Sequence, residues 1–187
     1  MPKKRNEEHR IESMLLTEFA KKKGEDKIIR NIQPVKIAGI ARFQMPTPLY
    51  ASDIKNVKYA GPSGGGIDIL SRIGTGNATK LCIMELKDEN APKEPPAKAI
   101  LQGLAYATFI RELLRSKCGQ EWWKIFGFSG KLPEQLELCV ACVMPSISNN
   151  DTSFANKIIK TAKDSFHLNY IYFHEKDNKV VDIDTSI

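Results

Sequence analysis

The chain has 187 residues, enough to bury one substantial hydrophobic core and short for two, so a single domain over 1–187 is expected. With 42% hydrophobic and 27% charged residues it lies far from the compositions that keep chains disordered, and no apolar run is long enough to cross a bilayer. The formal charge of +6 suits a polyanionic partner, because each phosphate neutralised by a lysine or arginine releases condensed counterions.

The start, MPKKRNEEHR, is positively charged with no apolar segment behind it, so no export signal is read there and a cytoplasmic location is expected. Over 6–23, Ile11, Met14, Leu15 and Phe19 recur at helical spacing among charges, with Gly24 placed to stop the helix. Residues 27–49 read as irregular strands broken by Pro34 and Gly39, followed by the turn-rich MPTPLYAS. GIDILSRI and KLCIMELK flank the turn GTGNAT and predict an antiparallel hairpin, entered through GPSGGG. The proline-marked linker DENAPKEPP then opens a helix in which Ile100, Leu101, Leu104, Ala105 and Leu113 repeat helically. LELCVACVM reads as a buried strand, 153–163 as a helix, and NYIYFHE and KVVDI as two strands joined by KDN. The alternation, free of internal repeats, predicts an α/β sandwich with a central mixed β-sheet flanked by helices.

Four cysteines with no export signal are expected to be reduced. Cys139 and Cys142 spell CxxC inside a strand, where residues three apart point to opposite faces and cannot grip one ion. Trp122, Trp123, Phe126 and Phe128 could stack on bases, but aromatics this dense more often seal a core or a subunit contact.

Chemistry concentrates on the hairpin. Alternation along KLCIMELK sends Leu81, Ile83, Glu85 and Lys87 to one face and Cys82, Met84 and Leu86 to the other. A strand apolar on both faces that ends in an acid and a lysine pointing the same way needs a reason, since unpaired charge is costly there. Asp68, on the other arm, supplies one: two carboxylates across a hairpin could hold Mg²⁺ with water and substrate phosphate completing its shell. Lys87 beside such an ion could orient or help deprotonate an attacking water.

The pattern GGGID, then ELK, then a helix beginning near AILQGLAYA resembles the PD-(D/E)XK superfamily of restriction endonucleases and repair nucleases. Ile67 stands where the family name has proline. The resemblance implies a restriction-endonuclease-like domain with an N-terminal helix in 1–24 and a catalytic core in 64–116. It makes Asp68 and Glu85 metal ligands together with the backbone carbonyl of Leu86, and gives Lys87 to the nucleophilic water. It adds Gln102 as a secondary catalytic residue with Tyr106 one turn away, and a first-helix glutamate at the rim, for which Glu18 is preferred to Glu12. The implied cofactor is Mg²⁺, replaceable by Mn²⁺. The implied activity is phosphodiester hydrolysis of DNA rather than RNA, with no membrane partner and with a homodimer allowed. The alternative is a nuclease-fold module without turnover that binds nucleic acid or a protein.

Overall fold

The computed structural model describes residues 2–22, 25–37, 44–52, 54–61, 65–91 and 93–187, with side chains from Glu7 onward. In chain order, helix α1 (Pro2–Ala20) precedes five short strands: β1 (Ile32–Pro34), β2 (Met45–Thr47), β3 (Leu49–Ala51), β4 (Val57–Tyr59) and β5 (Gly65–Ile67). The hairpin arms β6 (Ile69–Ile73) and β7 (Lys80–Leu86) follow, then helices α2 (Pro96–Arg115) and α3 (Gly119–Ile125). The chain closes with β8 (Glu137–Pro145), β9 (Ile158–Lys160), β10 (Ser165–Lys176) and β11 (Lys179–Thr185). Gly24 and Gly39, expected to interrupt the chain, lie outside the described residues.

One mixed sheet runs β1, β6, β7, β8, β10, β11 across space, with β9 added beside the start of β10. β7, β8 and β10 are mutually parallel, and the other neighbours are antiparallel. A parallel step from β7 to β8 needs a long crossover, which α2 and α3 provide. The last hairpin turns at Asp177 and Asn178, both at positive φ, the left-handed pair that two-residue hairpin turns demand.

The sheet has an apolar layer on each face, giving an α/β domain whose central sheet is flanked by helices. On one face α2 and α3 cover Leu70, Leu81, Ile83, Val140 and Cys142. On the other, the stripe Ile11, Met14, Leu15, Leu16 and Phe19 of α1 covers Ile69, Cys82, Met84, Cys139 and Val143. Cys139 and Cys142 thus belong to opposite layers, and burial pushes both thiols up, to about 11 and about 12. Trp123 and Phe126 are buried in the α2 layer, with Trp123 stacked on Phe128 at 3.8 Å, so this aromatic group seals the core. Among the described residues no helix is long and apolar enough to cross a membrane.

One expected element is replaced. The stretch 153–163 is turn followed by β9, and the helix expected there does not form. Asp151 Oδ1 accepts the Ser153 N–H at 2.9 Å, and Asn156 takes a positive φ of 60° that a helix cannot continue through. The backbone of Asn156 and Lys157 then bonds to Leu168 of β10, so Ile158 and Ile159 extend the sheet.

α2 lies close against the sheet at Gly103, where an added Cβ would stand 2.8 Å from Val140 Cγ1 and 3.8 Å from Glu85 Cβ. Gly103→Ala is therefore expected to lower stability by about 1–3 kcal/mol, despite the better helix propensity of alanine. A urea melt should show the midpoint falling with an unchanged slope, and an unchanged midpoint would mean that α2 is not seated this tightly.

Candidate functional site

The β6–β7 register sets Ile69 opposite Met84, so the next step along the hairpin brings Asp68 and Glu85 together at its open end. Asp68 Oδ2 accepts the Leu86 N–H at 2.9 Å, which ties the carboxylate to the end of β7. Lys87 N–H continues the parallel pairing by donating to Val143 O at 3.0 Å. Its Nζ turns back and donates to Glu85 Oε1 at 2.8 Å. Asp68, Glu85 and Lys87 therefore converge as the alternation of the hairpin requires.

Charge at this point is unbalanced. Glu85 is 1% exposed and its Oε2 has no hydrogen-bond partner. Burial, and then the neighbouring Asp68, drive the Glu85 carboxyl well above the usual carboxylate range, and Lys87 offsets only part of this. Asp68 still meets solvent on one side, yet burial raises it too, against the pull of Lys87 and the Leu86 N–H. Lys87 goes the other way: burial would lower it, but the Glu85 and Asp68 charges outweigh that and hold the ammonium protonated. A single ammonium thus faces two carboxyls in a nearly dry site, so ionising both leaves an excess of negative charge that a further cation would offset.

The first helix contributes, through residues other than Glu18. Glu12 is buried, receives Gln44 Nε2 at 3.2 Å, and adds its charge to the rise at Asp68; Glu8 does the same at Glu85. These two lie one turn apart on a single helix face. Glu18 lies six residues past Glu12, where it accepts the Ile28 N–H at 2.7 Å and pairs with Lys21. It fastens the chain leaving α1, and no contact joins it to Asp68, Glu85 or Lys87 among the described residues.

From the α2 side, Tyr106 is buried with its hydroxyl accepting the Ala51 N–H at 3.3 Å. Burial raises this phenol first, and the charges of Glu85 and Asp68 raise it further, which puts it within electrostatic reach of both. Gln102 is half-buried one turn before Tyr106 and has no side-chain hydrogen bond among the described residues. The β3–β4 ribbon is tied to Tyr106 of α2 through that same Ala51. It exposes Tyr50, Ile54, Val57 and Tyr59, the last at 91%, with Lys58 lying over the Tyr50 ring.

Among the described residues no three His, Cys, Asp or Glu side chains are gathered to hold an ion by themselves. Mg²⁺ does not need that, since it keeps several waters and commonly uses one or two carboxylates plus substrate oxygens. Asp68 and Glu85 fit that role: both are hard oxygen donors, and Glu85 Oε2 is buried without a partner. Comparison with family models, with curated proteins and with solved structures finds no match for this chain.

Proposed function

We propose that this protein is a Mg²⁺-dependent nuclease with a restriction-endonuclease-like fold of the PD-(D/E)XK kind, hydrolysing phosphodiester bonds of DNA. The reading is carried by the convergence of Asp68, Glu85 and Lys87 at the open end of β6 and β7, where one ammonium serves two carboxyls and Glu85 Oε2 is buried without a partner. Asp68 and Glu85 would hold the ion together with the Leu86 carbonyl, while the Leu86 N–H fixes the Asp68 carboxylate. When bound, Mg²⁺ supplies Lewis acidity at the scissile phosphate and makes water acidic enough to attack at neutral pH; Mn²⁺ can replace it. Lys87, held as the ammonium, can donate hydrogen bonds to the attacking water and offset charge on the phosphate. Tyr106 and Gln102 stand on the α2 side, and the exposed tyrosines of the β3–β4 ribbon offer ring faces to bases.

Calorimetric titration with Mn²⁺, paired with thermal melts, tests the reading before any substrate is chosen. At a hundred times its dissociation constant, a metal that binds only the folded state adds about 2.7 kcal/mol, roughly 5–10 °C for a domain of this size. Asp68→Asn should abolish that gain. A melt insensitive to Mg²⁺, Mn²⁺ and Ca²⁺ would leave the second reading, a binding module of the same fold without turnover. Two observations favour that module: the Lys87–Glu85 pair already occupies one carboxylate oxygen, and no third ligand is assembled among the described residues.

A further inference from the structure

At the opposite end of the β6–β7 hairpin from Asp68 lies an open groove of about 1240 Å³ whose charge is strongly one-sided. Among the described residues, Lys21, Lys22, Lys27, Arg30, Lys36 and Arg72 line it against a single acid, Glu25. Three of the cations are tied into the fold. Lys27 Nζ donates to the carbonyls of Phe19 and Lys21, Lys21 pairs with Glu18, and Arg72 donates to Gln33 and to the Gly127 carbonyl. Lys22, Arg30 and Lys36 are exposed and have no side-chain partner among the described residues. Uncompensated cations gathered over one concavity are costly to keep together and attract a chain of negative charges.

We infer that this groove is a second binding site, for the phosphodiester backbone of nucleic acid, set one short span of strand away from the Asp68–Glu85 centre. Two internal rulers give the spacing. From Asp68 to Gly74, which lines the groove, β6 climbs about 20 Å at ~3.3 Å per residue. From Glu12 to the end of α1 is about 12 Å at 1.5 Å per residue, with Lys22 two residues beyond. A strand of DNA covers that distance in about five or six nucleotides at 3.4 Å each. Backbone contacts of this kind position a substrate without reading its sequence. The choice of nucleic acid as the polyanion rests on the nuclease reading, whereas the groove itself does not.

The test measures anisotropy of end-labelled DNA duplexes of about 6, 12 and 20 base pairs in EDTA, so that metal binding and cleavage play no part. The wild-type chain of 187 residues is compared with K22E/R30E/K36E and with a control triple elsewhere, K117E/K160E/K163E, built from exposed cations without side-chain partners among the described residues. Both triples bring the formal charge from +6 to 0, so they differ only in where charge is lost. The groove triple should lose affinity at least about tenfold relative to the control, and its salt slope should be shallower by about 2–3, with the shortest duplex weakest throughout. Equal losses in the two triples would overturn the proposal. Complete displacement of the 20-base-pair duplex by ATP or pyrophosphate at low millimolar concentration would also overturn it, by assigning the groove to a small phosphate ligand. Loss of metal binding in Asp68→Asn with groove binding intact would show the two sites to be separable, so either reading can fail alone.

Discussion

If the protein is the nuclease proposed above, Asp68→Asn is expected to cut its Mg²⁺-dependent DNA cleavage by about 10³-fold or more, some 4 kcal/mol of barrier, while making the metal-free protein more stable. Both effects come from one carboxylate. Asparagine is close to aspartate in shape and keeps an oxygen to accept the Leu86 N–H, so the end of β7 stays where it is. What disappears is the Asp68 charge, which raises Glu85 inside a nearly dry site where Lys87 is the opposing ammonium. Relief of that repulsion should be worth about 1 kcal/mol or more, or ~3 °C in the melt. The opposite pair of outcomes is informative. Cleavage within a few-fold of wild type would remove Asp68 from the reaction, and a less stable Asn variant would mean that Asp68 is a structural ion-pair partner. Lys87→Ala is a poorer probe, because it leaves the buried Glu85 and its neighbour Asp68 without their ammonium and should damage fold and activity together.

Asp68, Glu85 and Lys87 were legible because a period of two is enforced by the strand itself: Leu81, Ile83 and Glu85 share the α2 face, and Cys82, Met84 and Leu86 the α1 face. The choice between Glu12 and Glu18 was not legible. Both are buried, and which one faces the hairpin end depends on the direction in which α1 crosses the sheet, a long-range property absent from the helix's own pattern. The pair Glu8 and Glu12, four apart, was the available signal. In 153–163, Phe154 and Ile158 sit at helical spacing, yet the edge of β10 offered backbone partners to the segment. Tertiary pairing outweighed a local pattern that Asn156 had already interrupted. The basic groove was hidden for a different reason. Its cations come from the segment between α1 and β1, the residues just after β1, and β6, and only the fold brings them to one concavity.

The fold's response to acid should be governed by Asp164, and its loss is expected to be the most destabilising of these substitutions. This carboxyl is 4% exposed and collects four donors. Arg111 Nε reaches Oδ2 at 2.7 Å and Arg115 Nε reaches it at 3.3 Å, while Arg115 Nη2 and the Leu136 N–H, the latter at 2.9 Å, bond to Oδ1. Burial alone would raise Asp164, but Arg115, the Leu136 N–H and Arg111 together outweigh it and hold the carboxyl down at about 2. Because its pKa is lower folded than unfolded, the stability it confers is complete above the unfolded value of about 4 and is lost as the pH falls toward 2. A shift of that size corresponds to about 2 kcal/mol. Asp164→Ala also strands two arginines at the core's edge, so the total cost should reach about 3 kcal/mol, or roughly 10 °C in the melt. Asp164→Asn should cost less, since it can still accept the Leu136 N–H, and its stability should no longer fall between about pH 4 and pH 2 as steeply as that of wild type. An acid limb unchanged in the Asn variant would place the titrating group elsewhere. The consequence reaches the candidate site, because Arg111 and Arg115 lie in the last turns of the helix that carries Gly103 and Tyr106. Freed at that end, α2 can lift from Val140 and Glu85, and Mn²⁺ affinity should weaken in Asp164→Ala although the substitution touches no residue of the carboxylate pair.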